Sequence, residues 1–219
     1  STHELEADVE DALDALVEAG YVGSSEEGYR FLRETERKLE NEIMSVKIRS
    51  GDIRRRAKKF FREDVHDDTD RINYGGQSFD LEVVADEETI STKGHIQLTA
   101  YSPVYQRYND VDKRTLKTQS HNEEGTIYWI ADQDDSEAIH NDIKTLLKTK
   151  QVLDSKRGEE LSEEERDALT QKREEFDRLK NEITDALTDS FRQGTIIYFG
   201  DEIELDESTK SLSSIIESP

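Results

Sequence analysis

Two stretches of amphipathic helix, about 135–156 and 162–193, lie between short β-prone runs, and no other feature narrows the fold as much. The first carries Ile139, Ile143, Leu146, Leu147 and Leu153 at helical spacing. In the second, Leu169, Phe176 and Ile183 recur every seven residues, with Leu179 and Ala186 interleaved, and Lys172 interrupts that seam. "RGEEL" turns the chain between them. Ser162 and Glu165 form the S-x-x-E pattern that opens a helix, because each side chain can satisfy the other residue's backbone N–H. Gly194 follows Gln193 as a stop, so the second helix is roughly 48 Å long at 1.5 Å per residue. "TIYWIAD" (126–132) precedes the pair and reads as a strand buried on both faces, while "TIIYFG" and "EIEL" follow it as strands. This half is therefore β, a long helical hairpin, then β.

The first half divides in two. Leu5, Val9, Ala12, Leu13, Leu16 and Val17 make one helical stripe that stops at Gly20, and "YVGSSEEGYRFL" is a hairpin signal. A helix over about 34–48 turns Leu39, Ile43, Val46 and Ile48 inward. A third helix places Ile53, Ala57, Phe60 and Phe61 on one stripe. From about residue 70 "RINY", "SFDLEVVA" and "HIQLTAYS" read as strands of an antiparallel sheet, closed by Pro103. Residues 105–125 read as an exposed loop with a short helix. The fold class is α+β: an N-terminal helical, winged-helix-like part (1–66), a mixed-sheet part with the long hairpin (67–206, helices about 135–193), and a flexible tail (207–219).

Composition decides what kind of surface covers this core. With 52 acidic against 30 basic residues, the net charge is −22. Hydrophobic residues are 32%, low enough to signal disorder, yet eight tyrosines, seven phenylalanines and regular apolar spacing argue for a core. The composition resembles a cytoplasmic protein of a salt-accumulating archaeon, where a Debye length of about 3 Å near 1 M salt makes self-repulsion tolerable. The absence of cysteine excludes disulfides and thiolate chemistry. No apolar run reaches membrane-spanning length, and a start at Ser1 directly before a helix reads as a piece of a longer protein.

Catalytic signals are weak. The G-x-x-x-x-G-K-[ST] pattern, whose backbone amides and lysine hold phosphates, is missing, and neither "YGGQSF" nor "TKGH" has its spacing. Asp132, Asp134 and Asp135 follow a buried strand where a Mg²⁺-binding carboxylate could sit, with Asp80 or Asp86 as further ligands. In so acidic a chain such clusters also arise by chance, and Asp134 or Asp135 suits a helix cap. His3, His66, His95, His121 and His140 fall at no ligand spacing. The expectation is no catalytic residue, no metal and no cofactor. The first helix, with Glu4, Glu6, Asp8, Glu10, Asp11, Asp14 and Glu18, repels DNA, since phosphate contact needs cations. That leaves "GDIRRRAKKFFRED", whose Arg54, Arg55, Arg56, Lys58, Lys59 and Arg62 oppose the apolar stripe and are the candidate nucleic-acid contact. The competing reading is a solvated face paired with neighbouring acids such as Glu63 and Asp64.

The ordered runs "ALDALVEAGYVGSSEEGYRFLRETERKLENEI", "GHIQLTAYSP", "EGTIYWIAD" and "DIKTLLKTKQVL" are similar to the middle of the large P-loop ATPases of bacteriophage exclusion (BREX) systems, the BrxC/PglY type. The resemblance covers roughly 10–205 and is one of pattern and order. It implies a non-catalytic internal region of a cytoplasmic phage-defence ATPase, with the nucleotide motif elsewhere in the parent protein. The implied partners are other parts of that ATPase or other subunits of the system, with DNA contact left open to the basic helix.

Overall fold

A computed structural model of the 219-residue chain describes residues 9, 11–17, 19–25, 28–66, 71–74, 77–91, 94–123 and 125–203. Helix α1 (11–17) leads to the antiparallel strands β1 (Val22–Ser25) and β2 (Gly28–Phe31), then to α2 (Glu34–Ser45) and α3 (Ser50–Phe60). A π-helical turn (Phe61–Val65) extends α3 before β3 (Arg71–Tyr74), β4 (Gln77–Ala85), β5 (Glu88–Ser91) and β6 (Ile96–Tyr101). The short α4 (Pro103–Gln106) and α5 (Lys113–Asn122) connect to β7 (Thr126–Ile130). The long helices α6 (Ser136–Ser155) and α7 (Glu163–Arg192) then deliver the chain to β8 (Thr195–Tyr198) and β9 (Asp201–Ile203). The fold is α+β, as expected, and the expectations for Leu5 and for the tail after residue 206 lie outside the described residues.

The chain separates into two compact units, 1–48 with 146–178 and 49–145 with 179–219, and the division falls within α6 and α7. In the first unit Leu39 and Ile43 of α2 bury against Val152, Leu153, Ala168 and Leu169, with Val46 and Phe176 at the margin. Helix α2 ends at Ser45, three residues short of the expected end, because Val46 turns to extended backbone while still reaching the core. In α1, Leu13 and Val17 are half-buried, whereas Leu16, and Val9 ahead of the helix, are exposed although the periodicity turns them inward.

The predicted cap at Ser162 is present, with its backbone N–H donating to Glu165 at 2.8 Å and its Oγ accepting from the Glu165 N–H at 3.3 Å. Lys172, the break in the seam, is 15% exposed and pairs with Glu40 and with Glu175. Burial works against its charge, but the two carboxylates outweigh it and raise its pKa. Arg30 extends the same network by bonding Glu36 at 2.9 Å and Gln171 at 2.8 Å.

In the second unit six strands run in the order β5-β4-β6-β7-β8-β9, and β3 pairs with the start of β4. The sheet is mixed. β4, β6 and β7 are parallel, with Leu98 opposite both Val83 and Ile127, while β8 and β9 are antiparallel additions. The sequence suggests antiparallel pairing of "SFDLEVVA" with "HIQLTAYS", and the structure corrects this. Asp86 and Glu87, both at positive φ (50° and 64°), form a two-residue hairpin that sends "ETIS" back along β4, so β6 begins again beside Leu81. The long helices go out and return, which brings β8 in antiparallel with Trp129 opposite Ile196. Gly194 is required at that return, since a Cβ there would lie 2.3 Å from the Ile130 carbonyl oxygen.

All five residues of β7 are buried, as the apolar run implies. Its Ile127 and Trp129 share one face with Leu81, Val83, Leu98, Phe61 and Phe191. Its Tyr128 and Ile130 share the other with Leu116 of α5 and Ile197. Trp129 donates its indole N–H to the Phe191 carbonyl at 2.8 Å, and the two rings meet edge-on at 4.9 Å. The buried NH therefore has a partner and the aromatic cluster a fixed orientation. No described helix is long and apolar enough to cross a membrane.

Candidate functional site

Helix α3 buries Ile53, Ala57 and Phe60, and the π-helical turn seats Phe61 beside Phe191 at 4.9 Å. The six cations of this stretch are thereby left on the remaining surface. Arg54 lies over the Tyr108 ring at 5.8 Å. Arg55 pairs with Asp52 at 3.0 Å, Lys58 with Glu88 of β5, and Lys59 with Glu63 at 3.5 Å. Arg56 covers the Phe60 ring at 4.2 Å, and burial pulls its guanidinium below the ordinary value against the pull of Glu63 and Asp64. Arg62 is exposed.

The structure brings four of the six together. Arg55, Lys58, Lys59 and Arg62 line a cleft of about 460 Å³ between α3 and β5, with Glu63 and Glu88 as its acids. The cleft is therefore cationic by two charges in a strongly acidic chain, and it can accept phosphate oxygens in competition with those carboxylates.

The aspartates considered as metal ligands do not converge. Asp80 pairs with Arg71 at 2.7 Å, and Asp132 accepts the Asp134 N–H at 2.9 Å, a turn that leads into α6. Among the described residues no three His, Asp or Glu form a group that could hold a metal. His66 is buried and stacks on Phe61, His121 lies against Phe199, His140 bonds the Tyr108 hydroxyl at 2.8 Å and His95 is exposed. His3 lies outside the described residues.

Asp86 is different. It is 8% exposed and accepts both the Ser102 N–H and the Ser102 O–H at 2.7 Å. Burial pushes its pKa up to about 6, against the opposing pull of those bonds and of Lys58 and Arg54. Ser102 Oγ also accepts the Tyr105 N–H at 3.1 Å, which caps α4. Beside it, burial and then Glu87 push the Tyr105 hydroxyl to about 12. Gln106 donates to the Ala131 carbonyl at 2.7 Å and accepts from Gln133 at 2.8 Å. Ligands of parallel-sheet folds commonly bind beyond the carboxyl ends of the strands. Here the polar side chains after β4, β6 and β7 bond one another.

Periodicity gives no sign of the Asp86–Ser102 and Gln106–Gln133 pairs, since Ser102, Gln106 and Gln133 lie in irregular or short elements. The short helix expected within 105–125 is present as α5, whose Lys113, Arg114 and Lys117 include no acid between them. The absence of acids over ten residues of this chain is the signal that could have fixed its bounds. Lys117, His121, Phe199 and Gly200 border a second cleft of about 500 Å³. There Lys117 is already paired with Glu202 at 2.8 Å.

Comparison with known proteins gives one positive finding. Residues 46–218 match the family model of the BREX ATP-binding protein BrxC 4th domain, described as having a six-stranded β-sheet. No curated protein and no solved structure matches the chain. Six strands, β5-β4-β6-β7-β8-β9, form the body of the described sheet, with β3 paired to β4 as a seventh, and the match extends over most of the sequence. The chain belongs to the family of the fourth domain of the BREX phage-defence ATP-binding protein BrxC.

Proposed function

We propose that this chain is a non-catalytic scaffolding and interaction region of its parent ATP-binding protein, acting in the cytoplasm on other parts of that protein or on other subunits of the defence system. The observation that carries the reading is the state of the strand ends. Asp86 bonds Ser102, and Gln106 bonds Gln133 and the Ala131 carbonyl, so the usual ligand position of a parallel sheet is held by structural bonds. A winged-helix-like role for the first 66 residues fits the same reading, since helical residues precede the β1–β2 hairpin and its acidic surroundings favour protein over DNA. Deleting residues 46–218 from the parent protein tests the proposal. The expected result is retained ATP hydrolysis with loss of co-purification and of phage restriction. Loss of hydrolysis with assembly intact refutes it.

A second reading rests on the α3 cleft: sequence-nonspecific nucleic-acid contact through Arg54, Arg55, Arg56, Lys58, Lys59 and Arg62. It is favoured by the four cations that share the cleft with two acids. Binding of duplex or single strands should then fall steeply with salt and vanish on Arg55→Glu with Lys59→Glu. Absence of binding by the folded protein at low salt removes this reading.

A further inference from the structure

An exposed aromatic ring stands at the edge of the α3 cations. Tyr108, in the turn after α4, is 46% exposed, and the Arg54 guanidinium lies over its ring at 5.8 Å. Its hydroxyl is held at 2.8 Å by Nε2 of His140 on α6. The turn is fixed as well, since the Tyr108 N–H and the Asn109 side-chain amide both donate to the Tyr105 carbonyl, at 3.1 and 3.0 Å. Backbone and ring edge are thus tied down while nearly half of the side chain meets water. Such a ring loses little conformational freedom when a flat ligand stacks on it.

The cations lead from this ring to the cleft. Arg54 and Lys58 are one helical turn apart on α3 and form a row, and Lys58 lines the cleft with Arg55 and Lys59. Four described acids border the same surface, each engaged by a cation: Asp52 by Arg55 at 3.0 Å, Glu63 by Lys59 at 3.5 Å, Glu88 by Lys58, and Glu137 by Arg107 at 3.9 Å. Asp110, two residues beyond the ring, is exposed. Ion pairs this open to water are weak, so phosphate oxygens can replace their carboxylates. A duplex offers such a surface only phosphate, because its bases are stacked on one another. A single strand offers phosphate and an unstacked base together. We infer that Tyr108 is the base-stacking platform of a single-stranded nucleic-acid site whose phosphates run along Arg54, Lys58 and the α3 cleft. Arg54, between ring and cleft, bonds the phosphate next to the stacked base. The inference rests on the nucleic-acid reading above and names the form of the strand and the residue that selects it.

The test uses the full chain at the lowest salt at which thermal melting shows it folded. A single strand carrying 5-iodouracil is bound and irradiated, and the attached residue is identified by mass spectrometry. The expected crosslink is at Tyr108. Affinities for a thymidine strand, a uridine strand and a mixed-sequence duplex are then measured by fluorescence anisotropy. Tyr108→Ala should lower affinity for the tighter-binding single strand about tenfold and leave duplex affinity unchanged. Tyr108→Phe keeps the ring and loses only the hydroxyl, and should stay within about threefold of the unsubstituted chain. Unchanged single-strand affinity in Tyr108→Ala, an equal loss on the duplex, or a crosslink confined to other residues overturns the inference. If Arg55→Glu with Lys59→Glu abolishes binding while Tyr108→Ala leaves it unchanged, the cationic contact stands and the stacking platform falls. If the folded protein binds neither strand form, both fall.

Discussion

Replacing Asp86 with asparagine should stabilise the protein, and more so at high pH than at low. The carboxyl is 8% exposed, and its pKa is pushed from the ordinary 3.8 to about 6. A raised folded-state value means that the acid's contribution is most favourable below the unfolded value and is lost as pH rises through about 6. At about 1.4 kcal/mol per tenfold change, the full penalty is about 3 kcal/mol above pH 7, and roughly half of it is already present near pH 5.

Asparagine keeps the shape and the acceptor for the Ser102 N–H, while its amide can donate to the free lone pair of Ser102 Oγ. It also suits φ 50° at a two-residue hairpin better than aspartate does. Urea unfolding at fixed high salt, at about pH 5 and about pH 8, measures the effect. The expected gain is about 2–3 kcal/mol at the higher pH and about half that at the lower. A variant less stable than the parent at pH 8 would refute the reasoning, because the ionised carboxyl would then be held by Lys58 and Arg54. An equal gain at both pH values would assign the effect to turn preference alone.

Three further outcomes follow from other sites. Lys172→Met leaves Glu40 and Glu175 facing each other without their cation and should cost about 2–3 kcal/mol in thermal unfolding, much of it restored by adding Glu40→Gln. Ser162→Ala removes the α7 cap and should cost about 1 kcal/mol, read as a lower unfolding midpoint. Phe199 sits at φ 51° and is 50% exposed, so Phe199→Asn, which gives the β8–β9 turn the Asn-Gly dipeptide, should raise stability by about 1 kcal/mol. A lower midpoint for that last variant would show that the ring contact with His121 at 5.1 Å outweighs backbone strain.

Much of the core was legible because its signals are local. The unbroken apolar run of β7 matches burial on both faces, and the i, i+4, i+7, i+8 stripe of α3 matches Ile53, Ala57, Phe60 and Phe61. Strand β5 was not legible, since "ETIS" is short and polar and its turn lacks the glycine that usually marks such hairpins. Once β5 is missed, the direction of β6 cannot be read, and the antiparallel expectation follows. Helix α5 was legible only as a short helix somewhere in 105–125, because Leu116 is the lone apolar residue in its ten and no stripe sets its bounds. At the candidate site the cation cluster was visible but not its partners, because Glu88 is 30 residues from Lys58. Lys172 was visible as a defect, while Glu40, which makes it tolerable, comes from 132 residues earlier.

That long reach has a consequence for how the protein is made. The first unit closes only when Leu39 and Ile43 meet Ala168 and Leu169, on either side of the whole first stretch of the second unit. At bacterial or archaeal synthesis rates of about 5–20 residues per second, helix α2 waits roughly 6–26 s after its own translation before that surface exists. During this interval the apolar face of α2 has only nascent chain or chaperone for company. A cell making this protein must protect the first 48 residues until the ribosome has passed residue 178, and a truncation anywhere between those points should leave α2 prone to aggregation rather than merely shorten the protein.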